Sequence, residues 1–249
     1  MEACREQACM ETEGVTLRME MEAYAKAHHV PILNEHGRRF YAEFVRKQQP
    51  HRILELGTAI GYSALLALSL APADCTVETV ELLPARYEKA KHFLACSPLG
   101  RRVTQHLGDA GEMLDVLRGQ GKTYDFIFLD AAKGQYPDYF EKAAPMLEEG
   151  GVIVADNVLF RGYVLHPVMM PRRFETIVER LQRYLELVNT PPYTTEIFPR
   201  GDGLALTRRE SASLSEGGGP RSGGGSPLHG KTTSTLFSSA GANKIQKVK

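Results

Sequence analysis

Residues 52–63 read Arg52-Ile-Leu-Glu55-Leu-Gly57-Thr-Ala-Ile-Gly61-Tyr-Ser63. A short apolar run, two glycines and a return to apolar residues are the pattern of a buried strand, a tight turn and a helix. The strand is expected at 52–56 and the helix at 60–70, closed by Pro72. The same alternation continues downstream: strand 76–81, helix 84–95, strand 103–107, helix 110–118, strand 124–130, helix 136–147, strand 152–155 and helix 171–188. Strands 194–199 and 204–207 flank Arg200-Gly-Asp-Gly203, a hairpin signal. Upstream, helices are expected at 17–29 and 35–48, stopped by Pro31 and Pro50. Strands separated by helices predict an α/β fold: a mostly parallel seven-stranded sheet, helices on both faces, and a C-terminal antiparallel hairpin.

Composition sets the limits. The 249 residues are 43% hydrophobic, with 30 basic and 30 acidic side chains, which is the profile of a globular chain. That neutrality is the sum of two unlike parts. Residues 211–249 hold eight Gly, eight Ser and a net charge of +4, leaving −4 on the remainder. A segment so poor in apolar side chains does not offset its chain entropy. Residues 210–249 are therefore expected to be a disordered tail, 17–209 the folded domain, and 1–16 an N-terminal extension. No stretch approaches the ~20 apolar residues of a membrane span. The polar, acidic start lacks the features of a signal peptide, so a cytoplasmic location is expected. Cys4, Cys9, Cys75 and Cys96 form no CxxC pair and have no His cluster beside them. Neither zinc nor structural disulfides are expected.

In open α/β sheets ligands bind at the carboxyl ends of the strands. Gly57 and Gly61 let the backbone approach a ligand, but the spacing is not GxGxxG and no P-loop lysine follows. Glu81 ends the second strand, where an acid can accept ribose hydroxyls or simply be solvated. Gly108-Asp109-Ala110 follows the third strand and suits either an adenine contact or a helix cap. The fourth strand ends in Asp130-Ala-Ala-Lys133-Gly-Gln-Tyr136 and the fifth in Asp156-Asn157. Two carboxylates and an amide oxygen are hard donors, suited to Mg²⁺ or Ca²⁺ rather than zinc. Two basic groups stand out: Arg161, Arg172, Arg173, Arg180 and Arg183, and Arg38, Arg39, Arg46, Lys47 and Arg52. They are either phosphate contacts or solvated helix faces. Tyr62, Tyr136, Phe160 and Tyr163 are either stacking partners for a splayed base or core and rim residues.

In this order these residues resemble the metal-dependent O-methyltransferases related to catechol and caffeoyl-CoA O-methyltransferases, over roughly residues 17–209. The resemblance implies a Rossmann-like methyltransferase fold that binds S-adenosylmethionine (SAM) and a divalent cation, Mg²⁺ or another. It implies cofactor contacts from Leu33, Glu55, Gly57, Ser63, Glu81, Asp109, Ala110 and Asp130. It implies metal contacts from Asp130, Asp156 and Asn157, and a catalytic role for Lys133 with Asp130. A homodimer is implied too, with the N-terminal helices as the expected contact. A narrower resemblance, through Val30-Pro-Ile, the 55–63 loop, Asp130–Tyr136, Asp156-Asn-Val-Leu-Phe160 and Pro199-x-Gly-Asp-Gly-Leu-Ala205, is to bacterial tRNA 5-hydroxyuridine methyltransferases. This match implies a tRNA anticodon stem-loop as partner and 5-methoxyuridine at the wobble position as product. A small catechol is the alternative acceptor, because it shares the two adjacent oxygens.

Overall fold

The computed structural model describes residues 2–210, with side chains from Gly14 onward except Met169. The expected tail lies outside the described residues, apart from Glu210. The strands are β1 (Arg52–Leu56), β2 (Thr76–Glu81), β3 (Val103–Leu107), β4 (Tyr124–Leu129), β5 (Leu147–Asp156), β6 (Tyr193–Phe198) and β7 (Leu204–Arg209). They form one sheet in the order β3-β2-β1-β4-β5-β7-β6. The first five are parallel, and β7 runs antiparallel between β5 and β6. The hairpin thus folds back so that its second strand, not its first, meets the parallel sheet.

The helices are α1 (Glu2–Ala27), α2 (Glu35–Gln48), α3 (Tyr62–Leu68), α4 (Pro84–Ala95), α5 (Ala110–Gly119), α6 (Tyr136–Ala143) and α7 (Glu175–Leu187). Strand side chains alternate between the two faces. In β4, Phe126 and Phe128 join the core built with α1, α2, α3 and α4. Ile127 and Leu129 join the opposite core, built with α5, α6 and α7. The central strands are therefore apolar on both faces, which is why residues 124–129 read as a continuous hydrophobic run. Among the described residues, no helix is long and apolar enough to cross a membrane.

Some boundaries differ from the sequence reading. One helix runs through Glu2–Ala27, where a start at residue 17 was expected. Residues 2–12 show no apolar stripe, but Glu, Ala, Arg, Gln and Met there are strong helix formers. Helix α6 ends at Ala143 rather than 147, because Pro145 enforces a 3-10 turn over Ala144–Met146. Helix α7 starts at Glu175 rather than 171, after a second such turn at Arg172–Phe174.

The strand order reverses between β1 and β4. There the Asp130 amide donates to the Leu56 carbonyl at 2.9 Å, so the two strand ends are held level. A crevice for ligands is expected above such a switch point.

Candidate active site

The loop after β1 is stitched to β2. The Gly57 and Thr58 amides both donate to the Val80 carbonyl, at 2.9 and 3.1 Å. The Ala59 amide donates to Glu81 Oε2 at 2.8 Å, and the Leu83 amide to Glu81 Oε1 at 2.9 Å. Glu81 is thus fixed at the strand end by two backbone donors, with lone pairs left on each oxygen. Gly57 and Gly61 have φ of +104° and +83°, and Ala59, without a glycine's freedom, has +48°. Left-handed backbone at every second loop residue turns the chain sharply over the sheet.

Glu55 sits under this loop, fully buried. Ser63 Oγ donates to its Oε1, and Thr79 Oγ1 to its Oε2 at 2.6 Å. Thr58 completes the chain by donating to Thr79 Oγ1 at 2.7 Å. The parallel register sets Glu55 directly beside Thr79. Burial pushes the Glu55 carboxyl up to about 7, against the lowering effect of these two hydrogen bonds. Asp109 caps α5: its Oδ1 accepts from the Gly111 and Glu112 amides at 2.8 and 3.1 Å. Ala110 is buried beside it. The capping role weighed in the sequence is therefore present, and Oδ2 is not used by the cap.

The second half of the site spans the ends of β4 and β5. Lys133 Nζ donates to Asp130 Oδ1 at 2.7 Å and to the Tyr136 hydroxyl at 3.0 Å. Asp156 is 5% exposed, and its Oδ1 accepts from the Asn157 amide at 2.7 Å. Burial first, and then the neighbouring Asp130 charge, raise the Asp156 carboxyl well above the usual carboxylate range. Asn157 itself has φ +57°, so the chain turns immediately after the pair. Gly37, in the first turn of α2, lies between Leu33 and Asp156: a Cβ on it would be 3.3 Å from Leu33 Cδ2 and 3.9 Å from Asp156 Oδ2. Among the described residues there is no group of three or more His, Cys, Asp or Glu side chains able to hold a metal. The set read from the sequence has two carboxylates and one amide. Lys133 pairs with Asp130 and also acts on Asp156, so one cation serves both acids among the described residues. That surplus of hard negative charge at low exposure fits a divalent cation.

A family profile described as O-methyltransferase matches residues 10–210. The chain belongs to the SAM-dependent O-methyltransferase family. It is 30% identical to caffeoyl-CoA O-methyltransferase 2 of Populus trichocarpa over 164 residues, 63% of this chain and 66% of that enzyme. A solved Staphylococcus aureus structure, provisionally assigned as a caffeoyl-CoA O-methyltransferase, superposes with a TM-score of 0.70 at 32% identity, covering 77% of this chain and 91% of that one. The O-methyltransferase TomG of Streptomyces achromogenes, involved in tomaymycin synthesis and solved with SAM, gives a TM-score of 0.69 at 27% identity, covering 78% and 90%.

In this O-methyltransferase two of the four aromatic residues considered for base stacking are unsuited to it. Tyr136 is fully buried, and Tyr62 is 2% exposed with its hydroxyl donating to Glu22 at 2.5 Å and accepting from Arg38 at 3.1 Å. Their apolar neighbours in the folded chain claimed them for the core. Phe160 and Tyr163 are half-buried and pack against Phe174 at 5.3 and 5.9 Å. Of the basic groups, Arg38 pairs with Glu22, Arg52 with Glu148 and Arg183 with Glu186. Arg161 and Arg173 instead lie over the Phe174 ring, at 5.7 and 4.8 Å. Sequence reasoning missed Thr79 and the role of Tyr136. A Thr in mid-strand, opposite an acid in the parallel register, was the available signal for the first. The i,i+3 spacing from Lys133 was the signal for the second.

The buried Glu55 makes stability depend on pH. Its carboxyl titrates near 4.5 when unfolded and at about 7 when folded. Below both values it contributes nothing. Between them the unfolded state sheds the proton first, so stability falls as pH rises. The total loss is about 3 kcal/mol, at 1.36 kcal/mol per pKa unit. Glu55→Gln should remove that part of the decline, read from urea midpoints at pH 4.5 and pH 8. An unchanged slope in the variant would contradict the assignment.

Proposed function

We propose that this enzyme moves the methyl group of SAM to one of two adjacent oxygens on a small aromatic acceptor of the catechol type. The observation that carries the reading is the Asp130–Lys133 pair at 2.7 Å beside the buried Asp156, one strand away from the Gly57–Gly61 loop. Likeness to plant caffeoyl-CoA O-methyltransferases supports an acceptor with vicinal hydroxyls. SAM carries two positive centres and one carboxylate. Glu55 with Ser63 suits the amino-acid end, Glu81 the ribose, and Asp109 with Ala110 the adenine. Methyl transfer forms an O–C bond as the S–C bond breaks, and leaves S-adenosylhomocysteine. Holding the oxygen on the S–C axis is what the chain must do, and such positioning supplies roughly 7–11 kcal/mol in favourable cases.

Asp130, Asp156 and Asn157 would hold a divalent cation such as Mg²⁺, which supplies Lewis acidity that lowers the acceptor hydroxyl's pKa when bound. Lys133 Nζ, held by Asp130 and Tyr136, is the group that would balance the charge developing on the reacting oxygen. Leu33, buried against Gly37, is an apolar neighbour on the Asp156 side.

A second reading is favoured by one observation. Arg161, Arg172 and Arg173, all exposed, have no ion-pair partner among the described residues. They follow Asp156 in the chain and suit an acceptor that brings phosphates, such as tRNA with 5-hydroxyuridine at the wobble position. The test is a methylation assay with SAM and Mg²⁺ on a dihydroxy-aromatic acid and on tRNA bearing 5-hydroxyuridine, with and without EDTA. The expected result is EDTA-sensitive methylation of the small acceptor. Conversion of the tRNA alone would replace the first reading by the second, and turnover of neither would remove both.

A further inference from the structure

Tyr136 opens α6 and is fully buried, with its ring edge-on to Tyr184 at 5.4 Å. Its hydroxyl has one hydrogen to give and two lone pairs. The Leu129 carbonyl at 2.8 Å and the Asp156 carbonyl at 3.0 Å only accept, so the hydrogen serves them. Lys133 Nζ, at 3.0 Å, donates to the hydroxyl oxygen and gives a second hydrogen to Asp130 at 2.7 Å. One phenol therefore touches the residue before Asp130, the backbone of Asp156, and the amine between them. Leu129 and Ala155 are register partners across β4 and β5, so the hydroxyl spans the gap between adjacent strand ends.

We propose that Tyr136 is a positioning residue for methyl transfer. Its hydroxyl aims Lys133 Nζ between the strand ends that carry Asp130 and Asp156. With two of the ammonium hydrogens committed, the third position on Nζ has a defined direction, which a freely rotating lysine lacks. The proposal rests on the catalytic reading of Lys133 above, and its test separates the two.

Tyr136→Phe keeps the ring and removes the hydroxyl. The first readout needs no turnover: acetylation of Lys133 by an N-hydroxysuccinimide ester, followed by peptide mass spectrometry with exposed Lys91 as internal reference. Loss of one hydrogen-bond partner should speed Lys133 acetylation about fivefold. An unchanged rate overturns the proposal, whether or not an acceptor has been found. The second readout is a double-mutant cycle. Tyr136→Phe should lower kcat on the order of tenfold or more while leaving SAM affinity within about twofold. In a Lys133→Ala background the same substitution should cost nothing further. An equal loss in both backgrounds means that Tyr136 acts through the fold alone and overturns the proposal. If wild-type protein methylates no acceptor, the catalytic reading fails while the acetylation result still decides for Tyr136. Should Tyr136→Phe not fold, 3,5-difluorotyrosine at position 136 keeps the hydroxyl and weakens it as an acceptor. Faster Lys133 acetylation then supports the proposal, and no change overturns it.

Discussion

Asp156→Asn should lower methyl transfer by about a thousandfold, the equivalent of roughly 4 kcal/mol in the barrier, and at the same time raise the melting temperature. The two effects have one cause. Asp156 is 5% exposed and stands near Asp130, so its charged form is disfavoured in the folded protein. A carboxyl whose pKa is raised by folding subtracts stability above its unfolded value and subtracts most once it is ionised in both states. An amide of the same shape keeps the acceptor for the Asn157 amide and removes the charge. The gain at pH 8 should be on the order of 1–2 kcal/mol. Activity moves the other way, because the charge is what the acceptor side of the site needs. Initial rates and thermal melts in one buffer check both halves. A variant that keeps a tenth of the activity, or that melts lower, would sink the account.

Gly57→Ala should unfold the cofactor side. The residue has φ +104°, and a Cβ there would lie 2.7 Å from the Asp130 carbonyl carbon and closer still to its oxygen. Backbone at a strand end does not yield as a flexible side chain does. Strain at such a φ costs about 1–3 kcal/mol, and overpacking a further 1–3 kcal/mol. A drop of roughly 10 °C in melting temperature is expected for a domain of this size. Loss of measurable SAM binding by calorimetry should accompany it, since the amides of Gly57 and Thr58 align the loop with β2. Full SAM affinity in the variant would show that the loop relaxes without Asp130.

The sheet was legible because its signals are local. Residues 52–56, 76–81 and 124–129 are short apolar runs bounded by turn residues, and each became a strand within a residue of the expected limits. What escaped depended on neighbours distant in sequence. The helix over residues 2–16 has no apolar stripe to announce it. Tyr62 and Tyr136 are buried by apolar neighbours from other elements, and their hydroxyls are satisfied by Glu22 and Arg38 in one case and by the Leu129 and Asp156 carbonyls in the other. The site's residue types could be read at the strand ends. Their pairing could not, since Glu55 meets Thr79 only through the register of β1 with β2.

The hairpin that closes the sheet also walls the Asp156 end of the candidate site. Gly203 sits where a Cβ would be 2.5 Å from Leu159 Cγ, and the Leu159 amide donates to the Asp202 carbonyl at 2.9 Å. Gly201 lies 3.6 Å, by the same measure, from the side chain of Asn34, which caps α2. The wall beside Asp156 is therefore assembled from residues near 34, 157–162 and 201–203. Most of the residues proposed for SAM, by contrast, lie between Glu55 and Ala110. During synthesis the cofactor half leaves the ribosome some ninety residues before the last part of the wall. The wall beside Asp156 is thus the later of the two regions to be completed as the chain is made, because it needs the turn between β6 and β7.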